Sequence, residues 1–464
     1  MKIVVCGAGQ VGTTIARHLA TEGIDVSVID LDPEQVRRVD ESYDVRGVLG
    51  HASHPATLRK AGTKDADMLI AVTRSDEVNM VACQVAYSLF KVKRRIARLR
   101  HAGYLEQDAT GLYAAEHLPI DVIISPEIEI AEGIAHRLRV PGAFDMVPMA
   151  KGAVELLGIH TEGNHCAVAG KRFAEIAEMV ESDSEPIMSV MAVVRSGQCF
   201  VPDGHDTLQA GDDVYVVART DKVDTVMAAF GHHERLARRI VIVGAGNIGM
   251  HLARKIQREA PSVDIKLVER DRARAEYVAR ELGGASIVLQ GDALDRDLLG
   301  EAQIGAADTI IAVTNDDETN IFASVLAKEA GCRRTITLVN KSSYERLLPK
   351  LGIDAVVSPS AVTISTVLRH VRHGSISALY TLREDFGEVV EAVLTDESRL
   401  LRRPIGELGL PVGMKIGAVV REGVVIMPRE DMLLQAGDHV VALVTYSYLR
   451  LAEALLGAPV GRFG

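Results

Sequence analysis

Nothing in this sequence builds a cystine scaffold. Its five cysteines, Cys6, Cys83, Cys166, Cys199 and Cys332, are scattered, odd in number and free of any Cys-x-x-Cys pair. That spacing excludes a disulfide framework or a thiolate zinc site and points to a reducing compartment. The 15 histidines are as dispersed, and His232-His233 and the His370/His373 pair lack matching ligands nearby, so no metal site is expected. Positive charge is short too. A net charge of -11 argues against nonspecific nucleic-acid binding, which needs a basic face, and Arg94, Arg95, Arg98 and Arg100 lie on an apparent strand. No apolar run approaches the ~20 residues of a membrane helix; the uncharged stretch Ala355–Leu368 contains Pro359 and several hydroxyls. No signal peptide precedes the first strand pattern, Lys2–Cys6. The expectation is a soluble, cytoplasmic chain that reaches a membrane only through a partner.

What is present is repetition. Gly7-Ala-Gly-Gln-Val-Gly12 recurs as Gly244-Ala-Gly-Asn-Ile-Gly249, and Val26-Ser-Val-Ile-Asp30 as Ile265-Lys-Leu-Val-Glu269. Ala71–Asn79 matches Ala312–Asn320, and Asp121–Pro126 matches Asp354–Pro359. Further on, Arg195-Ser-Gly197 corresponds to Arg421-Glu-Gly423, and Leu208-Gln-Ala-Gly-Asp212 to Leu434-Gln-Ala-Gly-Asp438. The repeat unit is therefore larger than its glycine loop.

The fold class expected is α/β: two doubly wound Rossmann-type parallel-sheet domains, each followed by a small α+β domain. The bounds are 1–125 and 238–358 for the sheet domains, 144–229 and 372–457 for the small ones, with Gly231–Arg239 as linker. Strands are expected near 2–6, 25–29, 45–49, 68–72, 95–100 and 122–124, and near 240–243, 265–268, 286–290, 309–313, 335–339 and 355–357. Strands alternating with helical patterns imply a parallel sheet whose ligand crevice lies beyond the strands' carboxyl ends. Ser125-Pro126 and Ser358-Pro359 suit helix starts, with serine as cap and proline in the first turn. The helices that follow, about 127–139 and 360–373, connect to the small domains.

In the glycine loops the first glycine allows the tight turn, the second lets a pyrophosphate approach the backbone, and the third permits close helix–strand packing. Phosphates then sit on free amides where the helix dipole favours an anion. The competing reading is a bare strand–turn–helix junction. Asp30 and Glu269 end the second strands, where a carboxylate accepts both ribose hydroxyls and repels a 2′-phosphate, which favours NAD(H) or another adenine nucleotide over NADP(H). For Asp30 a helix-cap role competes. His51 and Asp292 occupy the adenine-side position after the third strands, and their difference predicts unequal sites. Thr73 and Thr314 end the fourth strands, beside the switch point, with hydroxyls and amides in reach of ribose or phosphate. Asp76-Glu77 and Asp317-Glu318 read equally as an acidic first helical turn or as ligand contacts. Arg98, replaced by Leu338 in the repeat, calls for an anion partner. Arg17 and Arg254, one turn into their helices, reach a terminal phosphate or lie on a solvated face.

No catalytic set is expected. A dehydrogenase needs a proton donor or acceptor facing the nicotinamide. The small domains offer His160, His165, Lys171, His205 and Tyr215 in one copy and Lys415, His439 and Tyr446 in the other, and none recurs between repeats.

The ordered motifs Gly7–Gly12 with Asp30, Ala71–Asn79, Ser125-Pro126, their second-half counterparts and the two Leu-Gln-Ala-Gly-Asp turns resemble the cytosolic regulatory subunits of Trk-type potassium uptake systems, made of tandem domains that regulate potassium conductance. The resemblance covers nearly the whole chain. It implies a peripheral protein on the inner face of the membrane that binds NAD(H), and often ATP or ADP. It also implies a homo-oligomeric ring, a tetramer, beneath a separate membrane channel or transporter subunit. By that analogy Gly7, Ala8, Gly9, Gln10 and Val11 cradle the pyrophosphate, Asp30 the ribose, and Thr73, Arg74 and Arg98 the rest of the ligand. The second site uses Gly244, Ala245, Gly246, Asn247, Ile248, Gly249, Glu269, Asp292, Thr314 and Asn315. His51 stands where an acid or amide is common. An NAD-dependent oxidoreductase and a sensor for another cation transporter remain the alternatives.

Overall fold

In the computed structural model the described residues are 1–21, 23–105, 111–114, 116–161, 166–182, 185–233, 236–345, 347–371, 376–383 and 386–456. His165, linker residues 234–235 and the small-domain ends 372 and 457 lie outside them. The chain divides into two compact units, residues 1–130 with 358–371, and residues 131–357 with 372–464.

The first unit holds β1 (Lys2–Cys6), α1 (Gln10–Thr21), β2 (Asp25–Asp30), α2 (Pro33–Ser42), β3 (Arg46–Leu49), α3 (Pro55–Lys60), β4 (Met68–Ala71), α4 (Asp76–Phe90), β5 (Arg94–Arg98) and β6 (Val122–Ile124). The six strands form one parallel sheet, ordered β3-β2-β1-β4-β5-β6. Side chains alternate across a strand, and both faces of this sheet are covered, so the middles of its strands are apolar on both sides while charged residues such as Lys2, Asp25, Asp30 and Arg46 stand at their ends. Ile3 and Val5 face one core with Ile15 and Leu19 of α1, while Val4 and Cys6 face another with Met80, Cys83 and Phe90 of α4.

The α1 face carries a finding that spacing alone did not give. The helix Pro359–Val371, which follows the second repeat's last strand, lies on the first repeat's sheet. Its Ile364, Val367, Leu368 and Val371, spaced as one helical stripe, join Ile3, Val5, Ile96 and Ile124 in a single core. Thr366 Oγ1 donates to Glu129 Oε2 (2.5 Å), and His370 Nδ1 lies 3.5 Å from Arg94.

The helix α5 (Pro126–Leu138) leads into the second unit. Next come β7 (Ala143–Met149), β8 (Val154–His160), α6 (Phe173–Met179), a short hairpin of β9 (Glu181–Ser182) and β10 (Glu185–Pro186), β11 (Met188–Arg195), β12 (Gln198–Phe200), β13 (Asp213–Arg219) and α7 (Val223–Ala229). The second Rossmann half follows as β14 (Arg239–Val243), α8 (Asn247–Glu259), β15 (Asp264–Glu269), α9 (Arg272–Glu281), β16 (Ile287–Gln290), α10 (Arg296–Glu301), β17 (Thr309–Ala312), α11 (Asp317–Glu329), β18 (Arg334–Leu338), α12 (Ser342–Glu345) and β19 (Ala355–Val357), with α13 the helix Pro359–Val371. The last elements are β20 (Ile376–Arg383), β21 (Gly387–Val393), β22 (Met414–Arg421), β23 (Val424–Ile426), β24 (His439–Thr445) and α14 (Leu449–Leu456). Strand order β16-β15-β14-β17-β18-β19 repeats the first sheet, and the small domains share one antiparallel order, β7-β8-β13-β11-β12 and β20-β21-β24-β22-β23.

In this unit the later residues of α5 meet the second Rossmann half: Glu132 pairs with Lys255 (2.5 Å), Arg139 with Glu259 (2.8 Å), and Arg334 donates to the carbonyls of Arg137 and Ala143. The two small sheets pack on one another through Met191, Tyr215 and Val217 against Leu382, Val389, Val441 and Leu443. Each small domain is tied by the same clamp. Asp212 accepts two bonds from Arg195 (2.8 and 2.7 Å) and one from Gln209 N, and Asp438 does the same with Arg421 and Gln435 N. The shared turn motifs of the sequence are these clamps, and Ser196-Gly197 and Glu422-Gly423 are left-handed hairpin turns.

The serine caps are corrected. Ser125 O accepts the first helical bond of α5, from Glu129 N, but its Oγ is buried without a partner, and Ser358 Oγ pairs with Ser360 Oγ at 3.0 Å. Among the described residues no helix is long and apolar enough to cross a membrane.

Candidate functional site

Each Rossmann half ends its first strand in a glycine loop, and the three glycines separate by what packing requires. Gly7 has φ +109° and Gly244 φ +99°, a backbone that only glycine adopts without strain. A Cβ on Gly12 would stand 1.8 Å from Gly7 O, and one on Gly249 2.0 Å from Gly244 O, so strand and helix touch there. Around Gly9 and Gly246 a Cβ would meet nothing within 4 Å, and neither has a positive φ. The protein's own packing therefore requires the first and third glycines and gives no reason for the second.

The acids that end β2 and β15 hold these loops. Asp30 Oδ2 accepts from Ala8 N (2.5 Å) and Oδ1 from Asp32 N (2.9 Å); Glu269 Oε2 accepts from Ala245 N (2.9 Å) and Oε1 from Asp271 N (2.9 Å). The cap role weighed for Asp30 belongs instead to Asp32, and to Asp271 in the repeat. A carboxylate oxygen accepts more than one bond, so both acids keep lone pairs for a ribose. Gln10 Nε2 lies 3.5 Å from Ser360 Oγ at the start of α13.

Beyond the fourth strands the fold fixes the threonines by a device that the sequence reading passed over. Thr73 N and Oγ1 both donate to Asn79 Oδ1 (2.9 and 2.7 Å), and Asn79 Nδ2 reaches the carbonyl of Arg98. Thr314, Asn320 and the carbonyl of Leu338 repeat this geometry. Asn79 and Asn320 are fully buried. The threonine amides and hydroxyl hydrogens thus serve the neighbouring helix rather than pointing outward. Asp76 and Asp317 are buried as well and accept the amides after the fifth strands, Arg100 N and His101 N or Asn340 N and Lys341 N. The acids do form the acidic first turns of α4 and α11, as one reading of the sequence had it; the interior tie made by the two aspartates is an addition that neither reading contained. Glu77 and Glu318 are the outward members of the pairs. A bond from Ser75 lowers the Glu77 pKa, and Lys341, then Tyr344, push Glu318 down to about 2.

Electrostatics set the halves apart. At the first, Arg98 is largely buried, its Nε has no partner among the described residues, and burial pushes its pKa down. The charges of Glu127 and Asp76 act the other way and favour the guanidinium, but neither bonds its Nε. Beside it Glu127 Oε2 is also buried without a partner, while Oε1 accepts from Arg100 Nε (2.8 Å). Arg74 is exposed. The repeat has Asn315, Leu338 and Asn340 at these positions. Its cation comes from elsewhere: Arg274, in the first turn of α9, donates from Nε to Ala245 O (2.8 Å) and keeps an Nη2 that is buried without a partner. Gln35 holds the matching place in the first half, so only a repeat alignment taken through α9 would have flagged Arg274. His51 Nδ1 is bound to Ser53 Oγ (2.8 Å) and its ring stacks on His54, whereas Asp292 accepts Leu294 N.

Other candidates are absorbed by the fold. Arg254 pairs with Glu281 on a helix surface, and Tyr215 is buried between the small sheets. Arg95 is buried against Asp121 (2.7 Å) and two carbonyls. Among the described residues no cluster of His, Cys, Asp or Glu could hold a metal ion.

Duplicated glycine loops, strand-end acids and threonine–asparagine ties define a class: tandem Rossmann proteins of the dinucleotide-binding architecture, each half carrying an antiparallel domain. Residues 3–126 and 240–359 match the TrkA-N domain family, and residues 389–457 the TrkA-C domain family. The chain is 43% identical over 455 residues to the Trk system potassium uptake protein TrkA of Azorhizobium caulinodans, covering 98% of each. It belongs to the TrkA family. The RCK domain of GsuK has a similar fold, with a TM-score of 0.60 at 20% identity over 98% of this chain and 94% of that one. The GsuK channel bound to NAD gives 0.59 at 20% identity, over 98% and 78%.

Proposed function

We propose that this chain is the peripheral, cytoplasmic regulatory subunit of a potassium uptake system and responds to NAD(H) and adenine nucleotides at two unequal sites. The carrying observation is the second glycine of each loop, which packing leaves unexplained and a pyrophosphate explains. The name borne by its relatives supplies the transport system, and the fold's likeness to a channel bound to NAD is consistent with the ligand.

In this reading the pyrophosphate rests on the amides of Gly9–Val11 and of Gly246–Ile248, and the ribose on Asp30 or Glu269. The phosphate or nicotinamide end at the first site meets Arg98 and Arg74. With Arg98 at this end of the first site and Leu338 in its place at the second, where Arg274 instead stands beside the glycine loop, the two sites prefer different ligands. The partner is an integral-membrane potassium channel or transporter subunit, beneath which copies of the chain form a ring, a tetramer. No reaction is assigned, so NADH is bound and not consumed.

Calorimetric titration of the purified chain with NADH, NAD, ATP and ADP, beside Asp30→Ala and Glu269→Ala, tests this. Binding without turnover, with each substitution removing a different share, supports the two-site reading. Absence of binding, or binding that survives both substitutions, removes its basis.

A further inference from the structure

We propose that the cleft between the two small domains binds a small zwitterion with an apolar side chain, of the class of a free α-amino acid, with Lys415 at its carboxylate and Asp203 at its ammonium. The cleft has a volume of about 220 Å³ and is lined by Phe173, Met188, Ser189 and Asp203 of one domain and Lys415 and Met427 of the other. That is below the ~300–1,000 Å³ of pockets for drug-sized ligands, so a nucleotide is too large for it. The walls are mainly apolar, with one cation, one carboxylate and one hydroxyl.

The cation is under-satisfied. Lys415 Nζ can donate three hydrogen bonds, yet among the described residues its one partner is the carbonyl of Pro202 at 3.2 Å. Among the described residues it makes no ion pair. Burial lowers its pKa, while the fields of Asp203 and Asp206 act the other way. A buried ammonium left with a single weak acceptor gains when an anion enters. Asp203 is ready as the opposite pole. Its Oδ1 accepts from His205 N (2.8 Å) and Asp206 N (3.0 Å), which hold its pKa below the usual carboxylate range, and among the described residues its Oδ2 makes no hydrogen bond.

The repeat supplies an internal control. At the equivalent positions Ser189 replaces Lys415 and Arg429 replaces Asp203. The pair therefore exists on one side of the domain contact only, whereas the Arg–Asp clamps that the fold needs are present on both. A ligand here touches both small domains at once and stabilises their contact.

The test uses the full chain, with L-leucine and L-methionine as probes in thermal-shift and calorimetric titrations. Two half-analogues accompany them: 4-methylpentanoate, which lacks the ammonium, and isoamylamine, which lacks the carboxylate. Saturable binding of an amino acid with a rise in Tm is expected, at least tenfold weaker for each half-analogue. Lys415→Met and the cleft-filling Ser189→Phe should abolish it, and Asp221→Asn outside the cleft should not. If Lys415→Met fails to fold, Ser189→Phe decides. Nucleotide titrations should be unchanged in both cleft variants, which separates this site from the glycine loops. No saturable binding of either amino acid, or binding indifferent to both cleft substitutions, would overturn the proposal and leave Lys415 as a bond between domains.

Discussion

At the scale of single residues the two kinds of glycine in each loop make opposite predictions. Gly12→Ala forces a Cβ against a backbone carbonyl that cannot swing aside, and overpacking of this kind costs about 1–3 kcal/mol or more. Gly9→Ala meets open space at an ordinary φ, so unfolding in denaturant should change by no more than about 0.5–1 kcal/mol, while nucleotide affinity falls at least tenfold. Equal damage to stability by both would mean that the loop is only a packing junction. Arg98→Ala and Arg274→Ala should each weaken one site. The first acts on the phosphate or nicotinamide half of site one, and the second on the ribose side of site two, so calorimetry should show two distinct losses. A single shared loss in both variants would contradict two independent sites.

At the scale of elements the strongest statement concerns α13. Its apolar stripe belongs to the first repeat's core, and Leu368 is 1% exposed. Leu368→Ala should cost about 2–5 kcal/mol, and limited proteolysis should cut the first Rossmann half faster although the substitution lies in the second repeat. Protection unchanged there would place α13 elsewhere in solution. A second element-scale prediction concerns α11. Glu318 titrates near 2 because Lys341, then Tyr344, favour its charged form. A depressed carboxylate pKa contributes stability above the ordinary value near 4.5 and loses that contribution as pH falls through about 2. Carboxyl NMR titration should show this, with Lys341→Met returning Glu318 towards its ordinary value. A titration that ignores Lys341 would refute the assigned cause.

At the scale of the whole molecule, regulation must come from differential binding. A ligand that binds two conformations equally shifts nothing, and moving a 1:99 equilibrium to 99:1 needs about a 10⁴-fold difference in affinity. Two sites that differ at Arg98, Arg274, His51 and Asp292 can supply such differences independently. NADH and ATP should therefore change the hydrodynamic size or exchange protection of the chain in distinguishable ways, each abolished by a different strand-end acid substitution. One identical response to both ligands would leave a single functional site.

Much of this was legible in the sequence because strand patterns and glycine loops are local. The six strands of each half lie within one or two residues of the bounds expected from the short apolar runs, and the repeat itself announced two sheets. The sequence also marked Asp30 and Glu269, since the end of the second strand is a fixed place in this topology. It could not show that Asn79 and Asn320 turn the threonines inward, because those bonds close across a strand, a loop and a helix. Nor could it show that α13 completes the first repeat's core: helical periodicity tells which face is apolar, not which sheet will cover it. The orphaned nitrogens of Arg98 and Arg274 and the lone cation in the small-domain cleft likewise depend on what surrounds them. Burial is a property of tertiary packing, and it is burial that turns an arginine or a lysine into a demand for an anion.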